Sequence, residues 1–341
     1  MATIKDVANL AGVSVSTVSV IINGKAEERK ISSVTVKKVL GAIKDLNYQP
    51  SVSARRLRSN ASKVYTVGIF WASDFRMAYL SRLISGIQSE LLKTKIPAEI
   101  VICPYKENKL HLENRLYSLD AFNAVIIANT SEKDTEYIHK NPLQIPTILY
   151  NRSSDIYHTV EIDNLSVGRK AALHLISSGA KSIVMICQKN SSYTSSTKRS
   201  KSFYETCMDH NIEIDKNDTL FVDGSLSSGA EAAIYLIEKN KLPDAIFCDS
   251  DVTAQGLLHI FRKNNISVPN DVQVLAIGSG NPEISQYYNP SISVIDIPME
   301  KMASKCLSLI AEIALNGLKK PIHVIYESPL IKRETTTGTM L

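Results

Sequence analysis

Apolar residues at helical spacing mark the start of the chain, between Ile4 and Asn23. They predict two short helices, the first with Ile4, Val7, Ala8 and Ala11 on one face and the second with Val18, Ile21 and Ile22 facing inward. Gly12 separates the helices, and glycine readily adopts the positive φ of a helix C-terminus. Ser14 is the predicted N-cap of the second helix, and Thr3 with Asp6 forms a variant capping box for the first. The segment therefore predicts a compact helix–turn–helix.

A helix–turn–helix of this size is the shape that places its second helix in the DNA major groove. The alternative is a two-helix packing unit without a ligand. A third helix is predicted from about Ser32 or Ser33 to Leu46, with Ser33 as the candidate cap and an inner face of Val36, Val39, Leu40, Ile43 and Leu46. Pro50 ends the unit, because proline disfavours helix in the residue before it. Residues 1–49 are the predicted headpiece.

A basic segment follows at 50–62, where Leu57 is a single large apolar residue among Arg55, Arg56 and Arg58. It is either a solvated linker or a short hinge helix that becomes ordered on DNA. In the second case its arginines neutralise phosphates and Leu57 inserts between base pairs from the minor groove. The eight residues Ser51–Arg58 that would form the helix are too few for a stable isolated helix, so ordering needs DNA or a second copy of the helix.

From Tyr65 onward, short apolar runs alternate with longer amphipathic segments. The runs predict strands at Thr66–Phe70, Glu99–Cys103, Ala124–Ile127, Thr147–Tyr150, Thr159–Ile162, Ser182–Ile186, Leu220–Val222, Ala245–Cys248 and Val272–Ile277. The amphipathic segments predict helices at Ala78–Lys93, Leu110–Ser118, Leu165–Ser178, 199–211, 227–238 and Val252–Asn264. This alternation is typical of parallel sheets with helices on both faces, and the number of strands predicts two α/β lobes. Two such lobes form a cleft at the carboxyl ends of their strands, where ligands bind.

The charge of the 341-residue chain is unevenly distributed. Residues 1–63 contain eleven Lys and Arg against four Asp and Glu, a net charge of +7, while the remainder carries a net charge of −2. A basic N-terminal segment on a nearly neutral body indicates a headpiece that meets a polyphosphate such as DNA.

Composition indicates an ordinary globular protein of two or three domains. Five cysteines are scattered without metal-type spacing, and we expect buried thiols at Cys103, Cys187 and Cys248. No apolar run has the length of a membrane span, and the N-terminus lacks a signal-peptide pattern, so we expect a cytoplasmic protein.

Catalytic motifs are absent from the sequence. The seven histidines show no ligand spacing such as HExxH, and there is no GxSxG elbow, P-loop or GxGxxG. We therefore expect no enzyme activity, no metal and no cofactor.

The segments TIKDVANLAGVSVSTVS, ING, NYQP and SARRLR resemble the N-terminal part of the lactose-repressor (LacI/GalR) family of bacterial transcription factors. Further along, DNLSVGRKAALHLISSGAKSIVMI, AIFCDSDVTAQGLLHIFRKNNISVPNDVQVLAIG and PSISVIDIP resemble the family's core. The resemblance implies a repressor with a helix–turn–helix headpiece, a hinge helix at 50–62 and a two-lobed core at 63–341 like a periplasmic binding protein. It places 63–160 and 292–323 in the first lobe, and 161–291 with 324–341 in the second. It also implies a homodimer on a pseudo-palindromic operator and a small-molecule effector between the lobes.

The resemblance also identifies candidate DNA contacts. In the recognition helix these are Val15, Ser16, Thr17 and Val20; elsewhere in the headpiece and hinge they are Thr3, Ser14, Asn23, Tyr48, Ser51, Ala54, Arg55 and Leu57. Val20 stands where relatives often have an arginine. An arginine contacts guanine through two hydrogen bonds, whereas valine offers only apolar contact, so we expect a different operator base here. For Ser14 and Ser33, helix capping and phosphate contact both remain open.

Effector contacts are carried over from the family position by position. Arg199 matches an arginine that holds ligand hydroxyls in sugar-responsive relatives, and Asn151, Ser250 and Asp251 follow predicted strands. Asp251 either accepts hydroxyl protons or caps the helix beginning at Val252. Trp71, Ser73 and Arg76 follow the strand VGIF, with Trp71 either stacking on a sugar or packing at the strand end. The segment Gly278–Asn281 lacks the aromatic and acidic residues of many relatives.

The implied effector is a carbohydrate, although purines or nucleosides bind some relatives. Effectors that release DNA and effectors that promote DNA binding both fit the sequence. Two other classes compete with a regulator: a solute-binding protein without a DNA role, which the basic headpiece argues against, and an α/β enzyme such as a sugar kinase, which lacks a catalytic constellation.

Overall fold

The computed structural model describes residues 4–22, 26, 29–46, 64–73, 79–94, 97–118, 121–189, 194–212, 214, 219–240, 242–316 and 320–337. The chain divides into two units, 1–63 and 64–341. Several predictions lie outside the described residues: the hinge helix and the roles of Thr3, Asn23, Tyr48, Ser51, Ala54, Arg55, Leu57 and Arg76.

The headpiece contains three helices: α1 (Ile4–Ala11), α2 (Val15–Ile22) and α3 (Ser33–Asp45). Its small core is formed by Val7, Ala8, Ala11, Val18, Ile21, Val39 and Ala42. The turn forms as its sequence predicts, because Gly12 adopts φ +63° and the amide of Thr17 donates to Ser14 Oγ at 3.1 Å. The helix–turn–helix and the capping role of Ser14 are therefore confirmed.

Two details of α3 differ from the prediction. Ser32, and not Ser33, is the cap, because the amide of Thr35 donates to Ser32 Oγ at 3.2 Å. Leu40 is 53% exposed, while Ala42 is buried. One residue corresponds to about 100° of helical rotation, so Leu40 lies beside the inner face formed by Val39 and Ala42.

A single helix long and apolar enough to span a membrane does not occur in the described part of the chain. The pair α1 and α2 reaches that length and composition only when taken together across a 104° bend.

The first sheet of the core contains six parallel strands. They are β1 (Tyr65–Ala72), β2 (Ala98–Tyr105), β3 (Ala124–Ala128), β4 (Thr147–Tyr150), β5 (His158–Ile162) and β11 (His323–Tyr326), in the order β11-β5-β4-β3-β1-β2. Its helices are α4 (Leu80–Leu91), α5 (Glu132–Lys140) and α11 (Met299–Asn316). The inner strands β1, β3 and β4 are apolar and almost fully buried on both faces, as expected for a sheet covered by helices.

The second sheet contains β6 (Ile183–Gln188), β7 (Thr219–Val222), β8 (Ala245–Cys248), β9 (Gln273–Gly278), β10 (Ser293–Asp296) and β12 (Leu330–Ile331). Their order is β12-β10-β9-β8-β6-β7, and β12 is the one antiparallel member. The helices of this lobe are α6 (Asn164–Ser177), α7 (Thr194–Asp209), α8 (Leu226–Glu238), α9 (Asp251–Lys263) and α10 (Pro282–Tyr287). The two α/β lobes are therefore confirmed.

The chain crosses between the lobes after Ile162, after Asp296 and after Tyr326. The predicted boundary at 292 is wrong, because Ser293–Asp296 pairs with β9 in the second sheet. The boundary at 323 is also displaced, because His323–Tyr326 pairs with β5 in the first sheet. The lobe to which each of these segments belongs is decided by strand pairing. Nothing in the sequence of these short strands indicates which strand each will pair with.

The predicted helix at Leu110–Ser118 is wrong. Two short 3₁₀ turns occupy Leu110–Leu112 and Asn114–Leu116. The carboxylate of Asp134 accepts from the amides of Asn108 and Leu110 at 3.0 and 3.1 Å, so the loop is tied to α5. In addition, α7 begins five residues before its predicted start, at Thr194.

Candidate ligand-binding site and DNA interface

The recognition helix α2 presents one face to the headpiece core and leaves the other accessible. Val18 and Ile21 are buried, Ser16 is exposed, and Val15, Thr17 and Val20 are half-buried. Ser14 Oγ shares hydrogen bonds with Ser16 Oγ at 2.7 Å and Thr17 Oγ1 at 2.8 Å, in addition to its cap. These hydroxyl groups lie together at the N-terminus of α2, where unpaired amides and the helix dipole favour an anion.

A cavity of about 90 Å³, lined mainly by residues with polar side chains, lies between the two lobes of the core. The carboxyl ends of the strands supply much of its lining: Asn129, Asn151 and Arg152 after β3 and β4, and Gln188, Asp249, Ser250 and Ser279 at or after β6, β8 and β9. Tyr79, Tyr150, Ser195, Ser196, Arg199, Ile297 and Met299 complete it. This is the position at which open α/β sheets bind ligands.

Hydrogen bonds connect the lobes directly at this cavity. Tyr79 Oη and Ser250 Oγ share a hydrogen bond of 3.0 Å, although 171 positions separate them in the chain. Arg152 Nη1 donates to Ser195 Oγ at 2.9 Å, and that hydroxyl donates to the carbonyl of Asn151 at 3.2 Å. The cavity is therefore closed by contacts that must break if the lobes separate.

Arg199 is held against the cavity by α6. A Cβ added at Gly168 would lie 2.2 Å from the Arg199 carbonyl oxygen, so glycine is needed for α6 and α7 to approach this closely. Arg199 Nε donates to Asn164 Oδ1 at 2.8 Å, and among the described residues its other guanidinium nitrogens have no hydrogen-bond partner. Burial lowers the pKa of Arg199 to about 10, so the group stays charged at neutral pH.

Asp249 is the carboxylate of the cavity lining, and its side chain is well buried. Oδ2 accepts from the amide of Gln188 at 2.9 Å and from Ser196 Oγ at 3.0 Å. Oδ1 has no hydrogen-bond partner among the described residues. Burial raises the pKa of Asp249, and the hydrogen bonds from Gln188 and Ser196 and the charge of Arg199 oppose that rise.

Of the effector contacts expected from the sequence, the structure places Asn151, Arg199 and Ser250 together in the cavity lining. Asp251 lies outside it. Its Oδ1 accepts from the amide of Gly280 and its Oδ2 from Ser285 Oγ, both at 2.8 Å. The cap of α9 is instead Ser250, whose Oγ accepts from the amide of Val252 at 3.2 Å. Asp251 therefore has neither of the two expected roles. It connects α9 to Gly280, just before α10, and to Ser285 within α10.

Trp71 and Ser73 also lie outside the cavity lining. Trp71 is fully buried in the core of the first lobe, on β1 between Pro104 of β2 and Ala128 of β3. Ser73 is exposed, and its amide donates to the Tyr105 carbonyl at 2.7 Å. Of the two possibilities for Trp71, packing is the one observed.

Sequence reasoning missed Tyr79, Asn129, Tyr150, Arg152, Gln188, Ser195, Ser196, Asp249, Ser279, Ile297 and Met299. A signal existed for Gln188 and Asp249, which lie at the ends of two predicted strands where ligand contacts are expected. Tyr79, Ser195 and Ser196 come from helical segments of different lobes, and their spacing along the chain carries no sign of their proximity.

The cysteines are buried and unpaired, as predicted for Cys103, Cys187 and Cys248. Burial raises the pKa of the Cys187 thiol to about 12, so it is unreactive at neutral pH. Across the described ranges, no group of three or more His, Cys, Asp or Glu side chains is arranged to hold a metal ion.

The fold and the site together define a class: a helix–turn–helix headpiece joined to a two-lobed core of the periplasmic-binding-protein type. Residues 3–51 match the family described as bacterial regulatory proteins, lacI family, and residues 172–336 match the periplasmic binding protein-like domain. The regulator RegA of Clostridium saccharobutylicum is 30% identical over 342 residues, covering 98% of both chains. The repressor PurR of Photobacterium profundum is 28% identical over 317 residues, covering 92% of both.

Solved structures agree with this result. A LacI family transcription regulator from Clostridium acetobutylicum is 36% identical, with a TM-score of 0.76, over 79% of this chain and 99% of its own. The complex of the regulator CelR with cellobiose shares the fold at 22% identity and a TM-score of 0.69, over 98% of this chain and 100% of its own. The chain belongs to the lacI family and is a DNA-binding transcriptional repressor.

Proposed function

We propose that this repressor is controlled by a small carbohydrate that binds in the cavity between the lobes. The observation that carries the proposal is the lining itself, where hydroxyl, amide, guanidinium and carboxylate groups from both lobes converge. Such a mixture of donors and acceptors suits a neutral ligand with many hydroxyl groups. The shared fold of the CelR–cellobiose complex is consistent with that ligand class.

The cross-lobe hydrogen bonds suggest how binding is transmitted. A ligand that bridges Arg199 and Ser250 of the second lobe to Asn151 of the first changes the relative stability of open and closed arrangements. In a homodimer, lobe motion changes the separation of the two hinge segments at 50–62. That separation controls whether Leu57 can enter the minor groove. The protein then acts in the cytoplasm on a pseudo-palindromic operator, which it contacts through Val15, Ser16, Thr17 and Val20 of α2.

The experiment has two stages. A thermal-shift screen over sugars, sugar phosphates and purines identifies ligands that raise the melting temperature of the purified full-length protein. Pseudo-palindromic sites are then chosen from promoters near the protein's own gene. The affinity of the protein for each site is measured by fluorescence anisotropy, with and without each stabilising ligand. We expect a carbohydrate to stabilise the protein and to change operator affinity at least tenfold in one direction. Stabilisation by purines alone, or by a sugar that leaves operator affinity unchanged, contradicts the proposal.

A further inference from the structure

Asp249 is the feature of the cavity that the proposed function does not by itself explain. It is 7% exposed, and Oδ2 is saturated by Gln188 and Ser196 while Oδ1 has no partner in the described part of the chain. A buried carboxylate oxygen without a donor costs free energy, and it persists where a ligand completes it. Asp251, two residues on, is fully occupied by Gly280 and Ser285. The acceptor available to a ligand is therefore Asp249.

The surroundings of Asp249 define what that ligand must present. Arg199 lies close enough for its charge to act on the Asp249 carboxylate, and the guanidinium nitrogens that lack a partner among the described residues can only donate. Asp249 Oδ1 can only accept. A hydroxyl group both donates and accepts, so two neighbouring hydroxyls satisfy Asp249 and Arg199 together. An anionic group satisfies Arg199 but brings a second negative charge close to the buried Asp249 carboxylate.

We propose that Asp249 is the specificity-determining residue of the cavity: with Arg199 it binds a pair of adjacent hydroxyl groups on an uncharged sugar and disfavours anionic sugars. This inference rests on the proposed function, because it names the ligand class at the same site. The discrimination between uncharged and anionic sugars is assigned to one oxygen atom, Oδ1 of Asp249.

Matched pairs of probes test the inference: glucose against glucuronate and glucose 6-phosphate, galactose against galacturonate, and ribose against ribose 5-phosphate. Cellobiose and maltose extend the neutral set. Thermal shift and isothermal titration calorimetry are run on the full-length protein and on Asp249→Asn. The amide oxygen of Asn can still accept from Gln188 and Ser196, while its NH₂ replaces Oδ1 and turns an acceptor into a donor. Asp209→Asn, at an exposed aspartate on α7 of the same lobe, removes the same charge away from the cavity.

Three results are expected. A neutral sugar binds the wild type more tightly than its anionic counterpart. Asp249→Asn binds that neutral sugar at least tenfold more weakly, a loss typical of a hydrogen bond to a charged group. Asp209→Asn binds as the wild type does. Without ligand, Asp249→Asn should show the cooperative melting transition and circular-dichroism spectrum of the wild type, which shows that the variant is folded.

Failures of the two proposals are distinguishable. Stronger binding of the anionic member of a pair overturns the inference, as does undiminished neutral-sugar binding by Asp249→Asn; either result leaves carbohydrate control of the repressor intact. If no probe of either charge binds the wild type, the carbohydrate proposal fails, and the role of Asp249 fails with it.

Discussion

Arg82 and Glu300 form a two-point ion pair, with Nε and Nη2 of the guanidinium each donating to one carboxylate oxygen at 2.6 Å. Arg82 also donates from Nη1 to the carbonyl of Gly278 at 3.1 Å and from Nη2 to that of Ile297 at 3.0 Å. Burial acts to lower the pKa of Arg82, and Glu300 outweighs that effect and raises it. A side chain of α4 in the first lobe is thereby bonded to the second lobe and to the segment that crosses between them.

Replacing Arg82 by Met should destabilise the core, because it leaves Glu300 and the carbonyl groups of Gly278, Gly280 and Ile297 without their donor. We expect the free energy of unfolding to fall by about 2–3 kcal/mol, less than for a fully buried pair because the Glu300 side chain stays 38% exposed. Urea unfolding measures the change. Lys305→Met, which removes the more exposed ion pair with Glu312, should cost less than about 1 kcal/mol. Equal losses in the two variants would contradict this assignment.

Helices α8 and α9 pack so closely that a side chain does not fit at their contact. A Cβ at Gly256 would lie 1.9 Å from the Leu226 carbonyl oxygen, and one at Gly229 would lie 2.1 Å from that of Thr253. We expect Gly256→Ala to force the helices apart, costing at least about 2 kcal/mol and roughly 4–8 °C in melting temperature. Scanning calorimetry of the full-length protein gives the value.

Gly41 is the matched control for this substitution. It lies in α3, and a Cβ there meets nothing within 4 Å. Alanine should therefore stabilise the headpiece by about 0.5–1 kcal/mol through helix propensity, which slows hydrogen exchange in α3. The explanation by close helix contact would be wrong if Gly41→Ala destabilised the headpiece, or if Gly256→Ala left the melting temperature unchanged.

His174 should make the fold sensitive to acid. Its Nε2 lies 2.8 Å from Thr336 Oγ1, whose own hydrogen is donated to Ser293, so Nε2 carries a proton in the neutral ring. Burial and the charge of Lys332 lower the pKa of His174. Protonation would add a charge at Nδ1, which is buried without a partner among the described residues. The stability is therefore full above the unfolded pKa of about 6.5 and decreases as pH falls toward the lower folded pKa.

The measurement compares urea unfolding at pH 7.5 and 5.5. His174→Gln should lose less stability over this interval than the wild type, with a residual loss from His158, whose pKa burial also lowers. If His174→Gln loses as much free energy of unfolding between pH 7.5 and 5.5 as the wild type does, His174 is not the source of the acid sensitivity.

Ser14 and Ser32 are matched N-caps in the headpiece, with oxygens 3.1 and 3.2 Å from the amide three residues on. Alanine at either position should lower headpiece stability by about 1 kcal/mol. If Ser14 also contacts a phosphate, Ser14→Ala should additionally weaken operator binding at low temperature, where the headpieces of both variants are folded. Equal operator affinities for the two variants would leave Ser14 with capping as its one role.

Val20 is half-buried on α2 and should set operator preference at one base pair. We expect Val20→Arg to shift selection from random DNA toward guanine at that position in each half-site, because arginine donates two hydrogen bonds to guanine. The expected preference for guanine over the other bases is roughly 1–3 kcal/mol, which is large enough to be measured by sequencing the selected sites. An unchanged consensus would mean that Val20 does not face the groove.

The sequence by itself determined the headpiece, the alternation of strands and helices and the sheet edge at which the cavity lies. Each depends on local physics: helical periodicity around Val18, positive φ at Gly12, and the rule that carboxyl ends of parallel strands meet. Strand ends and family resemblance also pointed to Asn151, Ser250 and Arg199, which the structure places in the cavity lining. Capping was also predictable, to within one residue at Ser32.

Tertiary structure alone decided which side chain faces the cavity between the lobes. Asp249 and Asp251 stand two residues apart after the same strand, and nothing local distinguishes them. The amide of Gly280 and the hydroxyl of Ser285 take both oxygens of Asp251, while the end of β6 leaves one oxygen of Asp249 for the cavity. Tyr79 and Arg152 likewise meet partners from the other lobe. The direction of each side chain depends on which groups, distant in the sequence, donate a hydrogen bond to it. Those groups are brought close only by the packing of the whole chain.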